Sequence, residues 1–338
     1  IMADPIQTRF LPVIEDALRE HWAHSLANSP DELRQMIAYH MGWEDQSAGK
    51  TVQGKRIRPA LILLVMDACG KDWVRALPAA VAVEYLHNFS LIHDDIQDQS
   101  KTRHGRDTLW VQWGIPQAIN TGDSMFTLAY LALLNTRSLY AEAVVNRMVE
   151  TFSQACLKLT EGQHLDIRFE DQELVTESEY LTMSSGKTAA LLGCCAKMGA
   201  ILGSLSLKEQ TLLEQFGIDL GLAFQIQDDI LGIWGDQAKT GKPADSDLVC
   251  GKKSLPIIHA LTNSSEFNVA WQADHTSPAA IAHLMELFKQ AGTYVYANKK
   301  VEAYTHSSLN ALHQAFHNNP PACQNLETLA TQLLKRDI

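Results

Sequence analysis

Long apolar stretches broken by helix-start signals run through this chain, and segments alternating between apolar and polar positions are almost absent. The longest unbroken apolar run is Ala60 to Met66. A second apolar segment, Ala189 to Gly203, is interrupted by Lys197. Ser29-Pro30-Asp31-Glu32 combines a cap, a proline suited to the first helical position and a Glu three residues after the cap. The Ser/Thr-x-x-Glu signature returns at Thr176–Glu179 and Ser206–Glu209. Pro116 is placed to open a helix running through Leu134, and Asn318-Asn319-Pro320-Pro321 to start a last one. Glycine-rich hairpin signals are missing. The pattern predicts an all-α protein of ten or more helices.

Composition narrows the class. With 338 residues, of which 46% are hydrophobic and 20% charged, the chain can bury a large core. Low-complexity tracts and linkers are missing, so residues 1–338 read as a single helical domain. No apolar run is long enough to span a bilayer, and no basic-then-apolar leader is seen. A cytoplasmic protein is the expectation. The six cysteines show no metal-type pairing and read as small hydrophobes. A net charge of −11 argues against a nucleic-acid partner. Should the ligand also be anionic, a divalent cation must mediate.

Two aspartate clusters carry the chemistry. In His93-Asp94-Asp95-Ile96-Gln97-Asp98, Asp94 and Asp98 share a helical face one turn apart, and Asp95 lies beside them. Like charges this close destabilise a helix by a few tenths of a kcal/mol per pair, so they call for a cation. Hard oxygen ligands suit Mg²⁺, which keeps some waters and shares phosphate oxygens. A solvated acidic helix end would explain one such cluster. A second follows at Phe224-Gln225-Ile226-Gln227-Asp228-Asp229, with Gln225 one turn before Asp229, and two are hard to explain that way. The chain reads as two helical halves sharing a site.

Cations accompany both clusters. Gly54-Lys55-Arg56-Ile57-Arg58-Pro59 leads into the apolar helix from Ala60 and offers an anion site near a helix start. Lys101-Thr102-Arg103-His104-Gly105-Arg106 is a short cationic turn past the first cluster. Ser185-Gly186-Lys187-Thr188 is expected to open another apolar helix. Gly241-Lys242-Pro243 and Gly251-Lys252-Lys253-Ser254 follow the second cluster. Each lysine alone is a plausible surface residue; together, metal and cations around a diphosphate stabilise a departing anion.

In this set the chain resembles the trans-prenyltransferases, the isoprenyl diphosphate synthases. The resemblance runs from Gly54 to about Leu261, within a core of about 50–262. It takes in Gly54-Lys55-x-x-Arg58-Pro59, His87, Asp94-Asp95-x-x-Asp98, Arg103, Gly162-Gln163-x-x-Asp166, Lys187-Thr188, Phe224-Gln225-x-x-Asp228-Asp229, Lys242 and Lys252. It implies a helical bundle around a central cavity, a homodimer, and about three Mg²⁺ per site on Asp94, Asp95, Asp98, Asp228 and Asp229. It implies that Arg103, Lys187, Lys242 and Lys252 hold an allylic diphosphate, with Thr188 and Gln225 alongside, and that Lys55, Arg58 and His87 hold isopentenyl diphosphate. The implied reaction ionises the allylic diphosphate in an apolar cavity. The double bond of isopentenyl diphosphate then attacks the allylic cation, and a proton leaves to the released diphosphate.

Three positions depart from the family pattern. His104 stands where a second Arg that contacts the homoallylic diphosphate is usual, which makes this site weaker or pH-dependent; Arg106 is expected to compensate. Gly232 replaces the last Asp of the second cluster, and Asp236 is a candidate to reach the site through water. Asp107 replaces a common Pro. Product length is assigned to Ser90 and Phe89, four and five residues before Asp94. Phe89, about 7.5 Å along the axis, should floor the cavity at C20, geranylgeranyl diphosphate, with C15 next. The rivals are a terpene cyclase, which needs no second diphosphate site, and a regulatory subunit of a heteromeric synthase. A dinuclear-iron bundle is weaker, because its Glu-x-x-His pairs are missing.

Overall fold

The computed structural model describes residues 6–43, 54–235, 246–317 and 319–334. Among these the structure is all-α apart from one two-stranded hairpin, and no helix is long and apolar enough to cross a membrane. No cysteine is joined to another in a disulfide. Contacts divide the chain between two compact units, Ile1–Thr151 with Met198–Leu205, and Phe152–Lys197 with Ser206–Ile338. Two of the three crossings between them fall inside continuous helices, which is why composition shows no linker there.

The first unit holds α1 (Leu11–Ser25), α2 (Asp31–His40), α3 (Ile57–Ala68), α4 (Leu77–Gln97), α5 (Leu109–Trp113), α6 (Ile115–Leu134) and the first residues of α7 (Glu142–Glu170). Helix α4 is its hub, packing on α1, α3 and α6. Every side chain from Ala79 to Leu86 is buried, as expected of a helix that is apolar all round. A Cβ at Gly122 of α6 would sit 2.3 Å from His93 Nε2, so glycine there makes room for the His93 ring beside the first aspartates. Helix α6 keeps the expected start at Pro116 and end at Leu134. Helix α2 starts one residue later than its signal: Pro30 occupies the cap position, and its carbonyl accepts from Arg34 N at 3.2 Å.

The cationic turn after α4 is a tight hairpin, β1 (Thr102–Arg103) against β2 (Arg106–Asp107). His104 and Gly105 at its tip both have positive φ, 52° and 75°, which matches the right-handed twist of the flanking strands.

The second unit continues with the rest of α7, α8 (Glu177–Ser184), most of α9 (Ala190–Leu202), α10 (Leu207–Trp234), α11 (Ser246–Val249), α12 (Leu255–Asn263), α13 (Ser265–Ala273), α14 (Pro278–Gln290), α15 (Thr293–Ala315) and α16 (Gln324–Leu334). Helix α10 lies along α15. Ala223, Ile226 and Ile230 pack with Ala297, Val301, Phe169 and Tyr180 in one core. Both expected capping boxes form, at Thr176–Glu179 and Ser206–Glu209; each such cap stabilises its helix by about 1 kcal/mol. The last helix follows the turn Pro320–Cys323.

Besides the later start of α2 and the hairpin, which the sequence reading did not expect, a third element differs. Ser185 does not open a helix: α8 runs through a π-helical turn, Ser185–Ala189, directly into α9. Two glycines bring that turn against α7. A Cβ at Gly162 would meet Lys187 N at 2.1 Å, and one at Gly186 would meet Lys158 O at 2.6 Å. Backbone therefore packs on backbone, and Lys187 and Thr188 are presented from a widened turn of the kind found at functional sites. Because the obstructing atoms are main chain, Gly162→Ala should cost about 1–3 kcal/mol or more. Urea unfolding measures it, and an unchanged midpoint would show that α7 and the π turn part freely.

Candidate active site

The first acidic motif occupies the last turn of α4, with Asp98 as the C-cap. Carboxylates there add to the negative end of the helix dipole, so the position attracts cations strongly. The three aspartates differ in exposure. Asp95 is 3% exposed and accepts from Arg103 Nε at 2.9 and 3.1 Å and Nη2 at 2.8 Å. Asp94 is half-buried and Asp98 exposed.

Upstream, Arg56 adopts left-handed backbone (φ 47°) at the start of α3. Its buried guanidinium reaches Glu15 of α1 at 2.5 Å and Glu84 of α4 at 2.6 Å. Burial opposes its charge, but Glu84 and Glu15 outweigh burial and raise the pKa. Sequence reading counted Arg56 among the loop cations. It is instead an internal anchor that fixes the loop bearing Lys55 and Arg58. Lys55 is exposed, and Arg58 Nη1 lies 3.1 Å from His87 Nε2. His87 is held well below its usual pKa, first by burial and then by Arg58. A neutral imidazole accepting from Arg58 follows.

A pocket in this unit is lined by Tyr39, His40, His87, Arg103, His104 and Arg106, among others. Arg106 stacks on Tyr39, 3.9 Å from the ring centroid, and donates to the Tyr39 carbonyl at 3.2 Å. His40, which sequence reading missed, is lowered to about 3 by burial and then by Arg103. His104 is lowered by burial and by Arg103 against an opposing pull from Asp95.

Two candidate chain-length positions lie on the same helix. The Ser90 hydroxyl donates to the His87 carbonyl at 2.7 Å. The half-buried Phe89 ring lies 5.0 Å from Phe126 of α6, which in turn lies 5.3 Å from Tyr130. The i, i+4 spacing of Phe126 and Tyr130 was the signal available in sequence for this aromatic row.

In the second unit, Asp229 of α10 has no exposure. Tyr180 Oη donates to its Oδ2 at 2.6 Å and Leu255 N at 3.1 Å, Gln225 Nε2 donates to Oδ1 at 3.0 Å, and Lys252 Nζ lies 3.6 Å from Oδ1. Thr188 Oγ1 donates to Gln225 Oε1 at 2.7 Å, which ties the π turn to the same network. Tyr180 is pushed well above its usual pKa by burial and then by Asp229. Lys252 is raised: burial opposes its charge, but Asp229 and then Asp247 outweigh it. Lys187 pairs with Asp166 at 2.5 Å, joining two motifs that the sequence set 21 residues apart. Asp228 is half-buried. Lys242 and Asp236 lie outside the described residues.

Among the described residues no three His, Cys, Asp or Glu side chains converge as a ready-made metal cluster. Carboxylate oxygens with room for outside ligands fit Mg²⁺, which binds through one or two carboxylates plus substrate phosphates. The fold and donor set are those of a helical enzyme handling diphosphates.

The comparisons agree. The polyprenyl synthetase family model matches residues 43–290. The chain is 42% identical to a geranylgeranyl diphosphate synthase of Mycobacterium tuberculosis over 74% of its length and 71% of that protein. It is 35% identical to a (2E,6E)-farnesyl diphosphate synthase of Mycobacterium bovis, over 99% of this chain and 95% of that one. A crystal structure of geranylgeranyl pyrophosphate synthetase from Pyrococcus horikoshii superposes with a TM-score of 0.84 at 32% identity, covering 96% of each chain. The chain belongs to the polyprenyl synthetase family and is an isoprenyl diphosphate synthase.

Because burial and Arg103 favour the neutral form of His104, the imidazole takes up its proton only as pH falls below its usual 6.5. His104→Arg, charged throughout, should lower the KM for isopentenyl diphosphate by about tenfold at pH 8, a gain of ~1.4 kcal/mol from one charge-assisted contact. That advantage should shrink only as pH falls below 6.5. Steady-state kinetics checks both, and an unchanged KM in His104→Arg at pH 8 would show that position 104 does not meet isopentenyl diphosphate.

Proposed function

We propose that this enzyme condenses isopentenyl diphosphate with an allylic diphosphate to give a short-chain all-trans prenyl diphosphate, C20 before C15. The observation that carries the reading is the split within each aspartate pair. Asp95 and Asp229 are buried and held by donors, while Asp94, Asp98 and Asp228 keep accessible surface. The five-ligand expectation narrows accordingly: Asp94, Asp98 and Asp228 would hold Mg²⁺, and Asp95 and Asp229 would orient them. Bound there, magnesium neutralises charge on the leaving diphosphate.

The chain's own groups do the rest. Lys187 and Lys252 meet the allylic diphosphate, each kept in place by a carboxylate it already pairs with. Arg103, braced by Asp95, orients the same group. Lys55, Arg58 and the neutral His87 receive the homoallylic diphosphate, and Arg106 supplies the cation that His104 does not. An acceptor pocket of this make-up favours a synthase over a cyclase. The retained aspartates favour a catalytic chain over a regulatory subunit. Exposed Ile115, Ile119, Leu131 and Leu134 on α6 suit burial in a homodimer, and six cysteines without disulfides suit a reducing cytoplasm.

Phe89, backed by Phe126 and Tyr130, floors the hydrocarbon cavity. Purified protein with Mg²⁺, labelled isopentenyl diphosphate and C5, C10 or C15 primers should yield C20, with products sized by chromatography. No incorporation would sink the synthase reading. Phe89→Ala should lengthen the product by at least one C5 unit, and an unchanged product would remove Phe89 as the floor.

A further inference from the structure

Arg103, Lys187 and Lys252 each face an aspartate, and Arg56 faces two glutamates. Arg106 is held differently, by uncharged groups. Its guanidinium carbon lies 3.9 Å from the centroid of the Tyr39 ring, and Nη1 donates to the Tyr39 carbonyl at 3.2 Å. A ring takes the face of a guanidinium and leaves its N–H edge open, whereas a carboxylate takes the edge. Stacked in this way, Arg106 keeps its charge and most of its donors for an anion. Tyr39 and Arg106 both line the pocket that also holds Arg103 and His104. The ring is itself fixed. Tyr39 Oη donates to the Asp107 carbonyl at 2.9 Å and accepts from Gln112 Nε2 of α5 at 2.8 Å. Trp113 packs on it with centroids 5.2 Å apart and planes at 73°. One side chain at the end of α2 thus ties the second strand of the hairpin to α5.

We propose that Tyr39 is a positioning residue for the homoallylic diphosphate: its ring holds Arg106 with the N–H edge free, so that Arg106 replaces the cation missing at His104. The proposal rests on the acceptor role given above to Arg106. An arginine on a two-residue strand has rotamers to lose when it meets a ligand. Tyr39 removes much of that loss before substrate binds. Because Tyr39 acts through Arg106, its contribution disappears when Arg106 is gone, and shrinks when an arginine stands at 104.

The test is steady-state kinetics on the full chain at pH 8 with Mg²⁺, isopentenyl diphosphate and a C10 allylic primer. Tyr39→Leu removes the ring face and should raise the KM for isopentenyl diphosphate about tenfold. The KM for the primer and kcat should stay within about twofold, since both depend on other contacts. Tyr39→Phe keeps the face and should raise the KM no more than about threefold. Arg106→Gln should raise it about tenfold, and adding Tyr39→Leu to that variant should raise it no further. With His104→Arg as the parent, the effect of Tyr39→Leu should fall below about threefold. Circular-dichroism melts identify unfolding, and if Tyr39→Leu fails to fold, Tyr39→Met takes its place in every comparison. A parent-like KM in the folded Tyr39 variant, or an equal loss with and without Arg106, overturns the inference while Arg106→Gln still binds weakly. A parent-like KM in Arg106→Gln overturns the acceptor role of Arg106 along with it.

Discussion

A carboxylate removed from water has to be met by hydrogen-bond donors or a cation, and this chain buries several. Losing one partner of such a buried pair costs about 3–5 kcal/mol. Asp229 draws Tyr180 from α8, Gln225 from α10, Leu255 N from the start of α12 and Lys252 from the preceding turn to one point. Glu15 and Glu84 do the same for Arg56 in the first unit, and Arg103 for Asp95. These contacts set the rotation of α4 and α10, and with it the direction in which the neighbouring aspartates face.

Division of labour follows. Consecutive residues of an α-helix point about 100° apart, so in each pair one aspartate is buried while its neighbour keeps accessible surface; under the proposed reading each motif then has an anchor and a ligand. Asp94 and Asp98 stand at the negative end of the α4 dipole, which favours a cation. Under that reading an acidic isoprenyl diphosphate synthase would hold its anionic substrate through bound cations.

Much of this was legible in the residues. Capping boxes at Thr176 and Ser206, the start of α6 at Pro116 and both aspartate pairs are local signals, and the structure has each of them where sequence places it. What sequence does not show is which member of a pair is buried, since that depends on partners dozens of residues away: Arg103 is near Asp95 in sequence, but Tyr180 is 49 residues from Asp229. Arg56 was misread for the same reason, because Glu15 lies 41 residues before it. The π turn at Lys187 escaped notice because two backbone contacts to α7 create it, not local propensity.

The cations proposed to meet the homoallylic diphosphate also have protein partners: Arg58 has His87, and Arg106 has the Tyr39 ring. Preset geometry limits the ordering that binding must supply. The claim on which everything else turns remains the separation of anchors from ligands. Anomalous diffraction from crystals grown with Mn²⁺ and an unreactive allylic diphosphate analogue measures it directly. Metal in contact with Asp94, Asp98 and Asp228, with Asp95 and Asp229 keeping their protein donors, is the expected result; manganese bound to the Asp229 carboxylate, displacing Tyr180 or Gln225, would contradict it.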